Sequence, residues 1–366
     1  MTQNSTVISP LAIPAVLDAS DPAAADFVAA GVLLNDQMLE LWGSSDFRDS
    51  AETQLAGCRA TPVRRRVLLA ARSGNEILGL ATLSLPLADN THSAMVNVVV
   101  APHARRAGLG TRLYAAAEQA AAASGRTTLL GETEHPAQAP GEGIGTLTPE
   151  SGTGAIPADA AAAFAARAGF SLEQVERISL LDLAETAVGP ETLDAAAAAA
   201  GPDYGLEFWR GPCPGQLVDA YALLRQKMST DAPMAGLDLE EERWDAARVR
   251  ESERKAVEMD AEVLVCAVRH LPTSELVGHT VLMVFNSNPG VAFQDDTLVL
   301  SKHRGHRLGM LLKAANLVRL RGQLPEAARV WTWNAAENTY MLAINDGLGF
   351  RPVGWSGEWQ KQLRAT

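Results

Sequence analysis

The chain has 366 residues, 47% of them hydrophobic, and is therefore long enough to bury two cores of ordinary domain size. Its net charge of −12 and pI of about 5.1 disfavour a nucleic-acid partner, because an acidic surface repels the phosphodiester backbone. The N-terminus lacks a signal-peptide pattern and no apolar run could span a bilayer, so we expect a cytoplasmic protein with no membrane partner.

The hydrophobic pattern of the first half alternates between helical and strand periods. In chain order it predicts a helix over 23–42, strands over 67–72 and 77–87, a strand reaching residue 100, a helix from 110 to 120, a strand over 127–134, a helix over 158–168 and a strand over 178–183. A hairpin signal at Ser73, Gly74 and Asn75 joins the first two strands. The order predicts a mixed α/β domain over residues 1–185.

The second half repeats this order over residues 204–366. We predict a strand over 205–210, helices over 215–228 and 239–259, strands over 263–269, 276–285 and 293–300, a helix over 310–321, a strand over 330–334 and a helix over 338–348. Residues 186–203 are the natural linker, although their alanines could equally form a helix. The predicted fold class is thus α/β, with two domains that each have a mixed, mostly antiparallel sheet.

One motif occurs in both halves and is the strongest functional signal. An apolar strand runs into a loop rich in Arg and Gly, which opens into an amphipathic helix. The first loop contains Arg105, Arg106, Gly108 and Gly110, and the second reads Arg304, Gly305, His306, Arg307, Leu308, Gly309. The first turn of a helix presents unpaired N–H groups and a positive dipole end, so this layout is typical of a phosphate-binding site. In the second loop an arginine replaces the first glycine.

Both loops resemble the acetyl-CoA pyrophosphate loop of the GCN5-related N-acetyltransferases (GNAT family), whose signature is Q/R-x-x-G-x-G/A. The strand before that loop pairs with the pantetheine arm in the family, and the matching residues here are Val98, Val99, Val100, Leu298, Val299 and Leu300. The resemblance covers nearly the whole chain, as a tandem protein of actinobacterial type distantly similar to mycothiol synthases. It implies acetyl-CoA as co-substrate and a small-molecule amine as acceptor.

The two halves differ in the helix that follows the next strand. Family members commonly carry Asn at its start, which contacts CoA, and Tyr further along, which protonates the leaving thiolate. In the second half Asn338 and Asn345 occupy these positions, and Asn334 precedes them, whereas the first half has Ala158, Ala162 and Ala165. The resemblance therefore predicts a degenerate N-terminal domain and a catalytic C-terminal domain. Asn338 could also be only a helix N-cap.

A general base and a donor to the developing oxyanion are the remaining requirements. Asp296 is our candidate base and Asp295 its reserve, because strand alternation should turn only one of them into the cleft. His279 is an alternative base, and the backbone N–H near Val299 could serve the oxyanion. Tyr340 should point away from Asn345, which leaves the general acid open, and solvent could protonate CoA.

Several features stay open at the level of sequence. His303 and His306 flank the second loop and could contact phosphate, and Trp331 and Trp333 could line a cleft or pack in the core. Residues 135–157 form a long loop rich in Gly and Pro, either a lid or a tolerated insertion. The three cysteines are widely spaced and suggest no metal site, with Cys266 a buried strand residue.

We expect a monomer or homodimer. A non-catalytic CoA-binding protein and an acyltransferase with a longer acyl donor are the alternatives.

Overall fold

The computed structural model describes residues 6–137, 145–231 and 233–363. The chain folds into two compact units that do not follow the midpoint of the sequence. Unit 1 comprises Met1–Val175, Ala235–Leu239 and Ser356–Thr366, and unit 2 comprises Glu176–Met234 and Glu240–Trp355. Each unit therefore contains a segment that the sequence places in the other half.

The first part of the chain forms unit 1, apart from the end of its last strand. Its elements are β1 (Val7–Pro10), α1 (Pro22–Trp42), α2 (Ala51–Cys58), β2 (Arg64–Ser73), β3 (Glu76–Pro86), β4 (Ser93–Val100), α3 (Leu109–Ala123), β5 (Thr128–Pro136), β6 (Thr146–Leu147), β7 (Ile156–Pro157), α4 (Ala160–Arg167) and β8 (Ser171–Asp182). Local signals explain the helix ends. Asp21 caps α1 by accepting from Ala23 N, and Gly43 ends it in the left-handed conformation.

The remaining elements are α5 (Pro190–Ala200), β9 (Tyr204–Arg210), α6 (Val218–Asp231), α7 (Ala246–Glu258), β10 (Ala261–His270), β11 (Glu275–Phe285), β12 (Val291–Val299), α8 (Leu308–Gln323), β13 (Arg329–Ala335), α9 (Thr339–Leu348) and β14 (Arg351–Gln362). The mixed α/β class matches our prediction. Among the described residues, no helix is both long and apolar enough to cross a membrane.

Both units build their sheet in the same way. In unit 1 the strand order is β1-β2-β3-β4-β5, followed by the Ser356–Gln362 part of β14, and in unit 2 it is β9-β10-β11-β12-β13, followed by β8. The pairs β4–β5 and β12–β13 are parallel, and the pairs β1–β2, β2–β3, β3–β4, β9–β10, β10–β11, β11–β12 and β13–β8 are antiparallel. The helix after each loop, α3 or α8, packs its apolar face on its own sheet.

Two differences from the sequence predictions concern the domain borders. Residues 186–203 are not a free linker, because α5 packs on α8 within unit 2 and Arg321 donates to the Val188 carbonyl. The structure instead agrees with the alternative prediction that the alanines of this segment form a helix, α5. The end of β14 belongs to unit 1 rather than to the second half, and the predicted elements included no strand there.

The long loop over residues 135–157 has well-packed ends. His135 and Ile156 are fully buried, and β6 pairs with β7 across the insertion. Residues 138–144 lie outside the described part of the chain. The choice between a lid and a tolerated insertion therefore stays a prediction.

Candidate functional site

The loop between β4 and α3 holds two residues in the left-handed conformation. Arg106 has φ of 65° and Gly108 has φ of 78°. Gly108 is the N-cap of α3 and offers no side chain to the first turn, so the N–H groups of that turn keep no side-chain partner. The loop therefore has the backbone geometry of an anion-binding helix start.

The second loop repeats this backbone with the glycine moved. Its left-handed residues are Gly305, with φ of 89°, and Arg307, with φ of 55°, and Arg307 is the uncapped N-cap of α8. Each loop thus places glycine at one of two left-handed positions and arginine at the other. The arginine that replaces the first glycine keeps the loop shape, at a strain of roughly 1–2 kcal/mol.

The leading arginine of each loop is already engaged within its unit. Arg105 Nε donates to the Val100 carbonyl at 2.9 Å, and its guanidinium forms a bidentate pair with Glu40 on α1. Arg304 Nε donates to the Val299 carbonyl at 3.1 Å and Nη2 pairs with Asp231 on α6. Both arginines therefore brace the loop against its strand and a helix. Arg106, the next residue of the first loop, is exposed.

A cavity of about 1050 Å³ opens in unit 1 beside this loop. Registered pairing of β4 with β5 ends at Met95 and Leu130, and beyond this point the two strands line the cavity. Its walls come from α1, β4, the loop, α3, β5, α4 and β14, and include Val96, Val98, Val99, Val100, Arg106, Gly108, Gly110, Tyr114, Glu132, Thr133, Glu134, Asp159, Phe164 and Trp359. Pockets of this volume accommodate drug-sized or larger ligands.

Two carboxylates of β5 line the same cavity. Glu132 lines it and accepts a hydrogen bond from Ser356 Oγ at 2.9 Å. Desolvation raises the pKa of Glu132 above its usual range, against the hydrogen bond from Ser356. Glu134 accepts from Trp42 Nε1 on α1 at 2.7 Å. One end of the cavity is thus a helix N-terminus that favours anions, and its other side carries carboxylates.

A hydrogen-bonded chain also borders the cavity. Trp359 Nε1 donates to Thr133 Oγ1, which lies 2.8 Å from His135 Nε2, and His135 Nδ1 lies 2.8 Å from Asp159 Oδ2. Asp159 also caps α4 by accepting from Ala161 N. Burial opposes ionisation of Asp159, but these hydrogen bonds outweigh it and lower the pKa of its carboxyl.

In unit 2 a buried polar ladder lies behind the second loop. Lys313 Nζ donates to Asn345 Oδ1 at 2.6 Å, and Asn345 Nδ2 donates to Asn334 Oδ1 at 2.6 Å. Lys313 and Tyr114 occupy the same position, four residues after the last loop glycine. Burial lowers the pKa of Lys313 from 10.5 to about 7. The polarity predicted for the last helix is therefore real, but Asn345 of α9 binds Lys313 of α8 and Asn334 of β13.

The last helix also approaches the loop more closely in unit 2. A Cβ placed on Gly309 would lie 2.8 Å from Ile344 Cδ1, whereas one on Gly110 would lie 3.5 Å from Phe164 Cε2. Leu308 and Gly309 are buried, and Leu298 is 4% exposed. Asn338 is the N-cap of α9 and accepts from Met341 N, which is the capping role left open by the sequence.

The predicted base residues of unit 2 lie together on a bulge. Thr280 pairs with Thr297 but Leu282 with Gln294, so one residue of β11 faces both Asp295 and Asp296. Arg225 Nε lies 3.1 Å from Asp296 Oδ2, and Arg225 Nη1 lies 3.6 Å from Asp295 Oδ2. The expectation that alternation separates the two aspartates is therefore wrong, because the bulge breaks the alternation.

These two carboxyl groups have opposite pKa shifts. Desolvation and the neighbouring Asp296 charge raise the pKa of Asp295 to about 6, whereas Arg225 and His279 overcome desolvation and lower the pKa of Asp296. His279 is fully buried, 3.9 Å from Asp296 Oδ2, and desolvation lowers its pKa. Asp295 is thus the better proton acceptor near neutrality.

The other aromatic and histidine predictions have mixed outcomes. Tyr340 is 87% exposed, which confirms that it points away from the last helix's buried side. Trp331 is buried and its ring stacks with that of Trp333, an arrangement of core packing. His303 and His306 both contact the Tyr204 ring, and Tyr204 Oη lies 3.1 Å from His303 Nδ1. Cys266 is a buried strand residue as predicted.

The strand β14 supplies residues of the candidate site that the sequence reasoning missed. Ser356 and Trp359 contact Glu132 and Thr133. Lys361 Nζ donates to Tyr114 Oη, to Glu118 Oε1 and to the Ala168 carbonyl. Alternation of Trp355, Gly357 and Trp359 was the available signal, weakened by Pro, Gly and Ser. In the part of the chain that the structure describes, no group of three or more His, Cys, Asp or Glu could hold a metal ion.

The chain is similar to known proteins both in sequence and in fold. Residues 30–139 match the Acetyltransferase (GNAT) family, a segment that includes β4, the first loop, α3 and β5. A tandem GNAT protein from the clavulanic acid biosynthesis pathway has a TM-score of 0.75 at 24% identity, over 99% of this chain and 100% of that one. The chain is a tandem GNAT-fold protein.

Two further solved structures share the fold of this tandem GNAT chain. A GCN5-related N-acetyltransferase from Sphaerobacter thermophilus has a TM-score of 0.60 at 15% identity, covering 98% of this chain and 96% of that one. A glucosamine N-acetyltransferase region of a fungal multi-domain β-N-acetylglucosaminidase has a TM-score of 0.64 at 13% identity, covering 98% of this chain and 38% of that one. No curated protein matches significantly. The comparisons thus show the GNAT fold over the chain and a family match over residues 30–139.

Proposed function

We propose that this protein binds acetyl-CoA in the unit 1 cavity and transfers the acetyl group there to a small primary amine. The observation that carries this proposal is the cavity itself, which joins the N-terminus of α3 to Glu132 and Glu134. The family match to residues 30–139 covers the same elements. This proposal differs from the sequence prediction of a degenerate N-terminal domain, which stays a prediction.

The loop side of the cavity suits the pyrophosphate of acetyl-CoA. The first turn of α3 would bind it through backbone N–H groups, with Gly108 and Gly110 allowing close approach and Arg106 adding charge. Val98, Val99 and Val100 lie on the strand edge that has separated from β5, and would pair with the pantetheine amides. Apolar walls from Phe164 favour the same arm.

The carboxylate side suits an amine. Direct attack on the thioester requires a neutral amine, so a base must take its proton. Glu132 is our candidate, since its raised pKa brings it closer to neutrality than an ordinary glutamate. Glu134 would attract the ammonium form of the acceptor. The acetyl carbonyl would be stabilised by N–H groups of β4 beyond its pairing with β5.

Unit 2 remains a second candidate for the chemistry. The observation in its favour is Asp295, whose pKa is raised to about 6 and whose side chain is 45% exposed. In this alternative Arg304, Gly305, His306, Arg307, Leu308 and Gly309 bind the pyrophosphate, with Leu298, Val299 and Leu300 on the pantetheine edge. Asp296 then acts as the ionised neighbour that keeps Asp295 basic.

Release of CoA thiol from acetyl-CoA over a panel of primary amines tests both candidates. We expect Glu132→Gln to lower kcat/KM by roughly 10²- to 10⁴-fold, the usual contribution of a general base, and Asp295→Asn to leave it within a few-fold. The reverse result assigns catalysis to unit 2. Tight CoA binding without turnover for any amine, including with longer acyl donors, contradicts the proposal and supports a non-catalytic binding protein.

A further inference from the structure

Trp359, Thr133, His135 and Asp159 form a continuous series of side-chain hydrogen bonds, which packing of the cavity wall alone would not require. Each pair of neighbours is joined at 2.8 Å, and both Thr133 and Asp159 line the cavity. His135 between them is 1% exposed, and both of its ring nitrogens have a protein partner. A cap for α4 would need only Asp159, whose Oδ1 already accepts from Ala161 N and Ala162 N.

The direction of each hydrogen bond follows from the acid. The lowered pKa of Asp159 keeps it ionised near neutrality, and an ionised carboxylate can only accept. His135 therefore carries a proton on Nδ1, and in the neutral imidazole this leaves Nε2 with a free lone pair. The Thr133 hydroxyl donates to that lone pair. This arrangement is a hydroxyl, an imidazole base and an orienting carboxylate in series.

Trp359 adds a donor at the hydroxyl oxygen. Its indole N–H can only donate, and it reaches Thr133 Oγ1 at 2.8 Å. A hydrogen bond donated to the oxygen stabilises its alkoxide form, and His135 removes the proton from the opposite side. Both contacts activate the hydroxyl as a nucleophile.

We propose that Thr133 is an acyl acceptor of unit 1, and that the protein hydrolyses acyl-CoA thioesters through an acyl-threonine when no amine is present. This inference rests on the proposed binding of acetyl-CoA in the unit 1 cavity. Thr133 Oγ1 forms a bond to the thioester carbonyl carbon as the carbon–sulfur bond breaks. The hydroxyl proton moves to His135 Nε2 and then to the thiolate, which leaves as CoA thiol.

Water completes the reaction. It attacks the acyl-threonine carbonyl and gives a proton to His135 Nε2, and the Thr133 oxygen leaves and takes that proton back. The products are a carboxylic acid and CoA thiol, and the enzyme is restored without an oxidant or a metal. Glu132 is not used, so the activity is separable from amine acetylation.

The experiment measures CoA thiol and acetate from acetyl-CoA with the full chain and no amine. Thr133→Val keeps the shape and removes the hydroxyl, Thr133→Ser is the matched control that keeps it, and His135→Gln removes the base. We expect a loss of about 100-fold or more for Thr133→Val and His135→Gln, and a rate within several-fold of wild type for Thr133→Ser. Rapidly quenched wild type should carry one acetyl group, located on residue 133 by peptide mass spectrometry.

The outcomes distinguish this inference from the proposed function. Amine-dependent turnover in unit 1 without any amine-independent thiol release overturns the inference alone. Equal hydrolysis by Thr133→Val and Thr133→Ser, or acetylation of another residue, also overturns it. Absence of acetyl-CoA binding to unit 1, measured calorimetrically, removes both. Circular dichroism of each variant shows whether a loss reflects unfolding.

Discussion

The two units share the conformation of the loop before α3 or α8 but differ in the side chains behind that loop. Their loops share left-handed residues at equivalent places and the same arginine brace to the preceding strand. Beyond the loop they diverge, since unit 1 keeps Tyr114, Phe164 and a cavity, and unit 2 keeps Lys313 and a buried polar ladder. A well-formed loop therefore does not by itself define a binding site, and the side chains behind it decide whether space remains for a ligand.

Among the predictions, we expect the largest effect on stability from substitution of Lys313 in the polar ladder of unit 2. Lys313 has a pKa lowered by burial, so between about pH 7 and 10.5 the unfolded chain holds a proton that the native state does not. Stability should therefore rise with pH across this window. Lys313→Met should remove this part of the rise, as measured by calorimetry from pH 6 to 10. A rise of the same size in Lys313→Met as in wild type would contradict the assignment.

The aspartate pair of unit 2 should give effects of opposite sign. The native pKa of Asp295, about 6, exceeds the unfolded value of 3.8, so its contribution to stability is lost as pH rises from about 4 to 6. Asp295→Asn should stabilise the protein at pH 7.5 and leave it unchanged near pH 3. Asp296→Asn should destabilise at pH 7.5, by roughly 1–3 kcal/mol, because half-buried Arg225 loses its nearest carboxylate. Urea unfolding at both pH values separates the two signs.

The loop braces should give the smallest effects. Glu40→Gln in unit 1 and Asp231→Asn in unit 2 each remove the carboxylate charge beside a partly exposed arginine. Surface pairs of this kind contribute about 0.2–1 kcal/mol, so both variants should unfold within about 1 kcal/mol of wild type. Only Glu40→Gln should weaken acetyl-CoA binding, because Arg105 then loses its ion pair and holds the loop beside the cavity less firmly. Equal weakening by Asp231→Asn would show that both loops bind.

Sequence patterns predicted most strands and helices because their periods are local. The helix α2 was missed although Ser50 accepts from Thr53 N, a cap visible in the sequence. The strand β14 was missed because its pattern is interrupted by Pro352, Gly354 and Ser356, and its partner is remote in the chain. The two copies of the loop and the GNAT fold were predictable because the motif that identifies them is a run of contiguous residues.

The site was less predictable than the fold. A bulge in β12 turns Asp295 and Asp296 toward one arginine, and no residue type announces a bulge reliably. Lys313 lies in a helix where lysine normally faces solvent, so its burial depends on tertiary packing with Asn345. The relay through His135 joins residues 24 apart across a loop and could not be paired from sequence.

Acetyl-CoA titration calorimetry on a matched pair of loop variants tests the central claim most directly. Arg106→Glu and Arg307→Glu each reverse an exposed arginine that already adopts a left-handed conformation, so backbone strain is balanced between them. If unit 1 holds the functional site, Arg106→Glu should weaken acetyl-CoA binding by about tenfold or more, and Arg307→Glu should leave the tight site unchanged. Loss of the tight site in Arg307→Glu, with Arg106→Glu binding as wild type, would contradict the account.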